Sequence, residues 1–473
     1  MLRSWSQNAA KTLRLNSLAA TRVRCYHNAP PWRPASTLDE SVTLYGSGLA
    51  EGMADRDRWV GKEARPISLR QLMVFGRSLT EDRLISSANY VRTELPTRLA
   101  HRIRDMQTLP YVVVTNPHIS QVYELYYKAF ENLRRIREIR TLEDNRRFCE
   151  DISQTLQAHL TVIPKLAMGI LECRDLMRPE DMDKFMNTIL RSRISRRVIA
   201  EQHLALSATF KSSPSSSNSA ADFVGEVFLK CSAHEVVSQC FTAVHDLCVQ
   251  TYGISTPLPA IKLSGHLDAT FPYILSHLEY IIGELLRNSM QAMVERQKCR
   301  STRWEGNPPP IEVTVCEAPQ HVIIRVSDQG GGIPRDILPY LWSFSKGPRS
   351  TQRLENLTQV PKMAATLQEL RVSSDVPSPL SSPHSTPQKQ STEDINLLPS
   401  ISGHHSSLST LSSRPPDLRL GMGLPLSRIY AEYWAGNLEV HSLEGYGTDA
   451  FLQISKLGNK NEQLTKRASM DAV

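Results

Sequence analysis

The segment Glu284–Asn288 begins with an acid and ends with an amide, four residues apart. On an α-helix, side chains at this spacing project from one face about one turn apart, so Glu284 and Asn288 can converge on one ligand. The carboxylate can accept a proton, and the amide oxygen can bind Mg²⁺. Because the same spacing is common on solvated helix faces, it indicates a functional site only together with other signals.

Two glycine-rich segments supply such signals. Asp328 follows the apolar stretch 321–326 and stands just before three consecutive glycines, 330–332. A carboxylate at the end of a buried strand needs a donor such as an adenine amino group, although a loop cap would also satisfy it. Gly421 and Gly423 precede a predicted helix, whose N-terminal amides favour a phosphate. Together the three segments predict a nucleotide site.

The elements that must position these residues change in type along the chain. From about 65 to 210, apolar residues recur at three- and four-residue steps, which predicts several long helices packed as a bundle. Helix junctions are predicted at Pro96, Asn116-Pro117, 141–145, Pro164 and Pro179.

Beyond a Ser-rich stretch, the spacing of apolar residues changes from a period of 3.6, typical of a helix, to a period of 2, typical of a strand. Helices are predicted from about 233 to 250, 272 to 296 and 425 to 434, and strands at 311–315, 322–326, 437–441 and 450–454. Helices on one face of a mostly antiparallel sheet place this half, and the fold as a whole, in the α+β class.

Composition and charge exclude several classes of function. The 473 residues are 40% hydrophobic and 22% charged and contain no apolar run of 18 residues, so we expect no membrane insertion. The net charge of +7 arises mainly in residues 1–38, which hold six Lys or Arg and no acid. The remaining 49 basic and 48 acidic side chains do not predict a nucleic-acid partner. Eight cysteines without a Cys-x-x-Cys pair indicate neither a zinc site nor a disulfide framework.

Residues 1–26 have the makeup of a mitochondrial transit peptide. They lack acids, carry Arg and Ser, and place Leu15 and Leu18 on one side of a helix, while Arg24-Cys25-Tyr26 resembles a processing site. A disordered basic tail is the alternative. The transit interpretation predicts a location in the mitochondrial matrix, a reducing compartment that suits unpaired cysteines.

In their order and flanks, the three segments resemble the nucleotide-binding boxes of the GHKL ATPase and kinase superfamily. Within it, the sequence is most similar to the mitochondrial 2-oxoacid dehydrogenase kinases, over most of residues 80–457. The stretches that carry this resemblance are Tyr280–Glu295, Ile324–Ile333, Gly423–Tyr433, Glu444–Ala450, Glu94–Ile103, Leu109–Tyr111 and Ser192–Arg196.

This resemblance implies a fold and an activity. The fold is an N-terminal four-helix bundle, which docks a lipoyl domain of the E2 core, followed by a GHKL (Bergerat) α/β-sandwich nucleotide-binding domain. The activity is phosphorylation and inactivation of the E1α subunit at serine with Mg-ATP, by a homodimeric enzyme. By position, Glu284 matches the general base, His159 the histidine that partners it, Asn288 the Mg²⁺ ligand and Asp328 the adenine-binding acid. The matching nucleotide cradle is Gly330, Gly332, Gly421, Gly423, Leu424 and Thr448.

The same resemblance sets the expected boundaries. They are a transit peptide at 1–26, a lipoyl-docking bundle at 65–210, a flexible loop at 211–221, an ATP-binding kinase domain at 222–346 and 418–457, a disordered Ser/Pro-rich insertion in the ATP lid at 347–417, and a tail at 458–473. That insertion is longer than the family requires, and its 373–416 stretch holds 14 Ser and 7 Pro. A second departure is Arg419, where the family usually has a glycine.

The sequence predicts the reaction more clearly than it predicts which protein is the substrate. Glu94–Tyr111 and Asp222–Gly225 resemble the kinase of the branched-chain 2-oxoacid dehydrogenase more than that of pyruvate dehydrogenase, so the branched-chain complex is favoured and the pyruvate complex is the alternative. A nonenzymatic lipoyl-domain-binding module with a nucleotide-gated conformation is the alternative of another class. A sensor histidine kinase is disfavoured, because the setting of His159 lacks the adjacent acid of a phospho-acceptor helix.

Overall fold

The structure is a computed structural model that describes residues 58–77, 79–212, 223–299, 304–348, 350–363 and 418–464. The predicted transit peptide lies outside these residues. So do nearly all of the 211–221 loop, most of the 347–417 insertion and the last part of the 458–473 tail. Within the described ranges, every helix is too short or too polar to span a lipid bilayer.

The first half of the described chain forms helices that begin at polar caps. The Asn116 side chain accepts hydrogen bonds from two amides of the following turn, and Pro117 occupies the first helical position. Thr141 and Asp144 form a reciprocal capping box. The helices are α1 (Leu69–Gly76), α2 (Glu81–Gln107), α3 (Tyr111–Val114), α4 (Pro117–Arg134), α5 (Leu142–Ala158), α6 (Val162–Glu172) and α7 (Pro179–Ser212).

Four long helical units pack into the predicted bundle. They are α2, α4, α7, and the pair α5 and α6, which a single 3₁₀ turn at His159–Thr161 joins. Their facing sides bury large apolar residues, each at most 1% exposed, including Leu99, Val122, Phe130 and Phe148. The α+β prediction, with its N-terminal bundle, is confirmed in this half.

Pro96 does not end a helix, contrary to the prediction. It lies inside α2, which continues for 27 residues, and it is buried there. Proline removes one helical hydrogen bond, but packing of the surrounding helix face overrides that local penalty. The Thr97 hydroxyl donates to the Thr93 carbonyl at 2.9 Å and adds a side-chain bond in the same turn.

Beyond residue 222, strands and helices alternate. The elements are β1 (Phe223–Val224), β2 (Val227–Ser232), α8 (Ala233–Tyr252), β3 (Ile261–Gly265), β4 (Thr270–Ile274), α9 (Leu275–Lys298), β5 (Ile311–Glu317), β6 (His321–Asp328), α10 (Ser350–Thr358), α11 (Gly423–Tyr433), β7 (Asn437–Leu443) and β8 (Gly447–Ser455). One sheet has the order β1-β2-β4 and the other β3-β5-β6-β8-β7. β3 and β5 pair in parallel, and the other pairs are antiparallel.

The register of β6 decides where its terminal acid lies. Val322, Ile324 and Val326 are at most 1% exposed, because alternate residues of this strand face the layer formed by α9 and α11. Asp328 is the next residue in that series. The strand therefore delivers a carboxylate to the buried face of the sheet.

Two predicted boundaries differ from the structure. Pro272 was predicted to begin a helix, but it lies in β4, and α9 begins at Leu275. The stretch predicted as a disordered insertion from 347 begins with an ordered helix, α10, whose Leu357 is fully buried. Packing of α10 against α6 supplies the burial that the local composition did not indicate.

The first residues of the predicted tail join the bundle to the half that contains the sheets. Glu462 Oε1 accepts hydrogen bonds from Arg98 Nη2 of α2 at 2.8 Å and from the Ile67 amide at 3.1 Å. Its other oxygen accepts from the hydroxyl of Tyr433 at the end of α11. The side chains of Arg98 and Glu462 are 2% and 0% exposed. This carboxylate therefore holds three separate parts of the chain together.

We expect Glu462→Gln to lower the free energy of unfolding by about 3 kcal/mol, because it leaves the buried charge of Arg98 with a weaker partner. The midpoint of urea denaturation, followed by circular dichroism, measures the change. Glu439→Gln, in a half-exposed pair on β7, is the matched control and should change stability by less than about 0.5 kcal/mol. Equal midpoints for the two variants would contradict the importance of Glu462.

Candidate functional site

Helix α9 and the chain on both sides of the predicted insertion enclose a cavity of about 550 Å³. Glu284 and Asn288 line it from one face of α9, in keeping with their spacing. Arg296 and Arg419 lie among its other lining residues. The residues predicted from sequence that line this cavity are Glu284, Asn288, Asp328, Gly330, Gly332, Gly421, Gly423, Leu424 and Thr448.

The carboxylate of Glu284 lies against Gly423, the first residue of α11. A Cβ atom at position 423 would stand 2.2 Å from Oε2 of Glu284, so a larger residue would displace the carboxylate. Arg287 Nη1 lies 3.8 Å from the other carboxylate oxygen, and the Glu284 side chain is 12% exposed. Glu284 is therefore a largely enclosed carboxylate, fixed by the start of a neighbouring helix.

Asp328, which also lines the cavity, is an enclosed hydrogen-bond acceptor. Its Oδ2 accepts from the Ser289 hydroxyl at 2.9 Å, and its Oδ1 accepts from the Gly330 amide at 2.8 Å. Thr448 is its cross-strand partner on β8. Burial raises the pKa of Asp328 above its usual value, and the bonds from Gly330, Ser289 and the Thr448 backbone oppose that rise. A ligand donor that reaches this carboxylate would replace lost hydration.

His159 is not among the residues that line this cavity, and its partnership with Glu284 stays a prediction. Its ring is enclosed in the bundle, 5.4 Å from the Tyr126 ring, with Nε2 3.5 Å from the Leu125 carbonyl oxygen. Burial, together with the charge of Arg196, lowers the pKa of His159 to about 3, so the ring is neutral at neutral pH. Matching of sequence positions located the histidine but did not indicate the direction of its side chain.

His203 is a second histidine of the bundle core. It is fully buried, with Nδ1 3.1 Å from the Ser87 hydroxyl and Nε2 2.9 Å from the Asn145 side-chain oxygen. Burial lowers its pKa to about 4. These bonds satisfy both ring nitrogens inside the bundle.

Arg419, the departure from the family pattern, reaches across the cavity. Its guanidinium pairs with Glu295, which lies on α9 two turns beyond Asn288. Its carbonyl accepts a hydrogen bond from the Asn356 side chain of α10 at 2.9 Å. The arginine therefore occupies the rim between α9 and the turn at 419–423 that leads into α11, which we call the glycine-containing turn. Its backbone is held by α10.

Sequence reasoning missed two side chains that shape the cavity. Ser289, which binds Asp328, lies within a recognised segment, but a helical serine gives no chemical signal by itself. Arg353, which also lines the cavity, lies in a stretch whose composition predicted disorder. The position of Arg353 at the cavity is evident only from the packing of α10.

The arrangement suits a nucleotide. An acceptor at Asp328 faces one part of the cavity, while the glycine-containing turn and the N-terminus of α11 offer backbone amides to an anion. Asn288 and Glu284 present hard oxygen atoms one helical turn apart, which is the donor type that Mg²⁺ prefers. The residues present therefore fit an adenine nucleotide with its metal.

Comparisons with known proteins agree with this geometry. Residues 66–228 match the family model described as mitochondrial branched-chain alpha-ketoacid dehydrogenase kinase. Residues 274–378 match that described as histidine kinase-, DNA gyrase B-, and HSP90-like ATPase. The second match contains Glu284, Asn288 and Asp328, so it supports ATP as the nucleotide.

Similar proteins also align over most of the chain. [Pyruvate dehydrogenase (acetyl-transferring)] kinase 2, mitochondrial, of Saccharomyces cerevisiae is 34% identical, covering 88% of this chain and 86% of its own. The mitochondrial [pyruvate dehydrogenase (acetyl-transferring)] kinase of Arabidopsis thaliana is 30% identical, covering 90% and 99%. Isozyme 4 of Homo sapiens, with the same activity in its name, is 27% identical, covering 90% and 89%.

We expect Asp328→Asn to weaken ATP binding by about 10- to 100-fold, because it removes a charged acceptor that an adenine amino group would use. In the wild type, binding should weaken as pH falls through the raised pKa of Asp328, since protonation removes the acceptor. The Asn variant should lack this pH dependence. Calorimetric titration with ATP at pH values on both sides of that pKa measures the loss of affinity and its pH dependence.

The empty protein supplies a second readout. Because burial disfavours the ionised carboxylate, its contribution opposes folding at neutral pH, and Asp328→Asn should raise the thermal midpoint slightly. Asp336→Asn, on the surface, is the control for loss of one negative charge. Unchanged ATP affinity in Asp328→Asn would contradict a role in adenine binding.

Proposed function

The chain belongs to the family of mitochondrial 2-oxoacid dehydrogenase kinases, and on that premise we propose that it phosphorylates a serine of the E1α subunit of the pyruvate dehydrogenase complex with Mg-ATP, thereby inactivating it. The observation that carries the proposal is that Glu284, Asn288 and Asp328 meet in one cavity with the glycine-containing turn. A proton acceptor, a metal ligand and an adenine acceptor are then combined in one nucleotide site.

The pyruvate complex fits the relatives better than the branched-chain complex, which the Glu94–Tyr111 stretch favours. The relatives that align over most of the chain are named as pyruvate dehydrogenase kinases. The family model with a branched-chain name matches the helical part of the chain, residues 66–228. We therefore place pyruvate E1α first and retain branched-chain E1α as the alternative substrate.

Within the proposed reaction, each residue has a limited task. Asp328 holds the adenine, and the amides at the start of α11 face the phosphates. Glu284 accepts the proton of the substrate serine, for which it must come within about 3 Å of the hydroxyl oxygen. Asn288 would hold Mg²⁺, which neutralises charge on the transferred phosphoryl group when bound. Gly423 allows the Glu284 carboxylate to lie beside those phosphates.

The bundle offers a place for the E2 core to dock. A groove of about 1,700 Å³ lies between α1, the start of α2 and the chain near 459–461, and its lining includes Leu72, Phe75 and Arg92. Val74, beside it, is 58% exposed. We propose that the lipoyl domain of the E2 core binds here, that the enzyme is a homodimer and that it acts in the mitochondrial matrix.

We expect Glu284→Gln to retain ATP binding and to lose most phosphorylation, because general-base assistance contributes about 10²- to 10⁴-fold to rate. Purified protein, residues 27–473, is incubated with Mg-ATP and either pyruvate or branched-chain E1, with and without the matching E2. Phosphate on E1α is then measured for the wild type and the variant.

Each result identifies a different part of the proposal. Preferential labelling of pyruvate E1α, increased by its E2 and lost in the variant, supports all of it. Preferential labelling of branched-chain E1α changes the substrate and retains the mechanism. ATP binding without labelling of either E1 would indicate the nonenzymatic module.

We also expect Gly423→Ala to reduce kcat at least about 10-fold, because the added methyl group meets the Glu284 carboxylate and moves it. Gly283→Ala is the matched control on α9, since a Cβ there meets no atom within 4 Å. Its kcat should remain within about twofold of wild type. Equal kcat values for the two variants would show that the contact with Gly423 does not position the base.

A further inference from the structure

Helix α10 carries an enclosed arginine to the nucleotide cavity. Arg353 is 7% exposed and also lines the cavity that contains Glu284 and Asp328. α10 packs against α6 of the bundle, and the Met363 amide that follows it donates to the Leu160 carbonyl at 3.1 Å. The position of Arg353 is therefore fixed by the bundle as well as by the nucleotide-binding half.

The guanidinium of Arg353 joins two chain segments. Nη2 donates to the carbonyl oxygens of Phe344 at 2.9 Å and of Gly421 at 3.3 Å. Nη1 donates to the Lys346 carbonyl at 3.3 Å, and Nε to the Leu420 carbonyl at 3.4 Å. These bonds tie the segment before α10 to the turn that leads into α11.

That turn depends on close contact with the arginine. Gly421 has φ +67°, which favours glycine, and a Cβ there would stand 2.2 Å from Arg353 Nε. The Asn356 side chain holds the carbonyl of residue 419 in the same turn. α10 thus supports the turn from behind, along three consecutive residues.

The positive charge of Arg353 has no matching negative charge at ion-pair distance among the described residues. Burial lowers its pKa, and Asp183, the acid that opposes this, uses Oδ1 to accept from the amides of Phe344 and Ser345. An enclosed cation bound to neutral carbonyls is costly without a counter-charge. A ligand anion in the cavity would supply that charge.

The position of Arg353 indicates which part of a nucleotide it would meet. Arg353 touches Gly421, and two residues later Gly423 touches Glu284, the proposed base. The base must lie beside the transferred phosphoryl group, and the N-terminal amides of α11 lie in the same turn. Arg353 is therefore at the phosphate end of the cavity, whereas Asp328 is at the adenine end.

We propose that Arg353 is a positioning and phosphate-binding residue, which holds the Leu420–Gly421 turn and supplies the positive charge that the phosphates of ATP meet. This inference rests on the proposed ATP-binding site and assigns its charge recognition to a residue in the ordered first part of the predicted insertion. It predicts that the affinity lost on removing the charge depends on the number of phosphates in the ligand.

The test compares Arg353→Met, Arg353→Lys and wild type by calorimetric titration with Mg-ATP, Mg-ADP and adenosine. We expect Arg353→Met to weaken ATP binding by about 10- to 100-fold and adenosine binding by less than about threefold. Arg353→Lys keeps the charge but not the fork of donors, so it should recover part of the ATP affinity. Arg335→Met, on a side chain 89% exposed, is the control for loss of one positive charge.

Circular dichroism and the thermal midpoint of each variant accompany the titrations. Equal loss of affinity for ATP and adenosine, or ATP affinity like that of Arg335→Met, would overturn the inference while leaving ATP binding by the wild type intact. If Arg353→Met does not fold, Arg353→Lys provides the test. The inference then requires this variant to bind ATP more weakly than the wild type does and to bind adenosine as tightly as the wild type does. A wild type that binds no ATP would instead overturn the proposed function.

Discussion

The buried contact between Arg98 and Glu462 is the constraint on which the relation between the two halves depends. Two charges removed from water require each other, and this requirement fixes the chain after β8 against α2. The Tyr433 hydroxyl binds the same carboxylate, and the neighbouring Glu432 pairs with Arg191 of α7. The C-terminal end of α11 is therefore attached to the bundle, while its first residue supports Glu284.

Two other buried charged groups are held by neutral partners instead of by an opposite charge. Asp328 and Arg353 both line the cavity, and each is surrounded by neutral hydrogen-bonding groups rather than by an ion of opposite sign. Such groups stabilise the empty protein less than a paired charge does. A bound ligand would supply what each of them lacks: a hydrogen-bond donor for Asp328 and an anion for Arg353. The cavity thus favours binding at the expense of stability.

Much of the site could be predicted, because its residues lie at regular positions in simple elements. The spacing of Glu284 and Asn288 requires only a helix, and the position of Asp328 only a strand with alternate residues buried. Other features depend on contacts between distant segments. The direction of the His159 ring, the burial of Pro96 in α2 and the role of Arg353 follow from tertiary packing, which a single sequence does not display. Local composition misrepresented α10 for the same reason.

The strand order also bears on how such a chain can change over evolutionary time. β6 and β8 are neighbours in the sheet, although the predicted insertion separates them in sequence. The side chain of Asn356 binds the carbonyl of residue 419, so the chain before the interval 364–417 lies beside the chain that follows it. Residues can therefore be gained or lost between 363 and 418 without altering the register of either strand. This makes the interval a natural place for descendants of one enzyme to diverge while their chemistry stays the same.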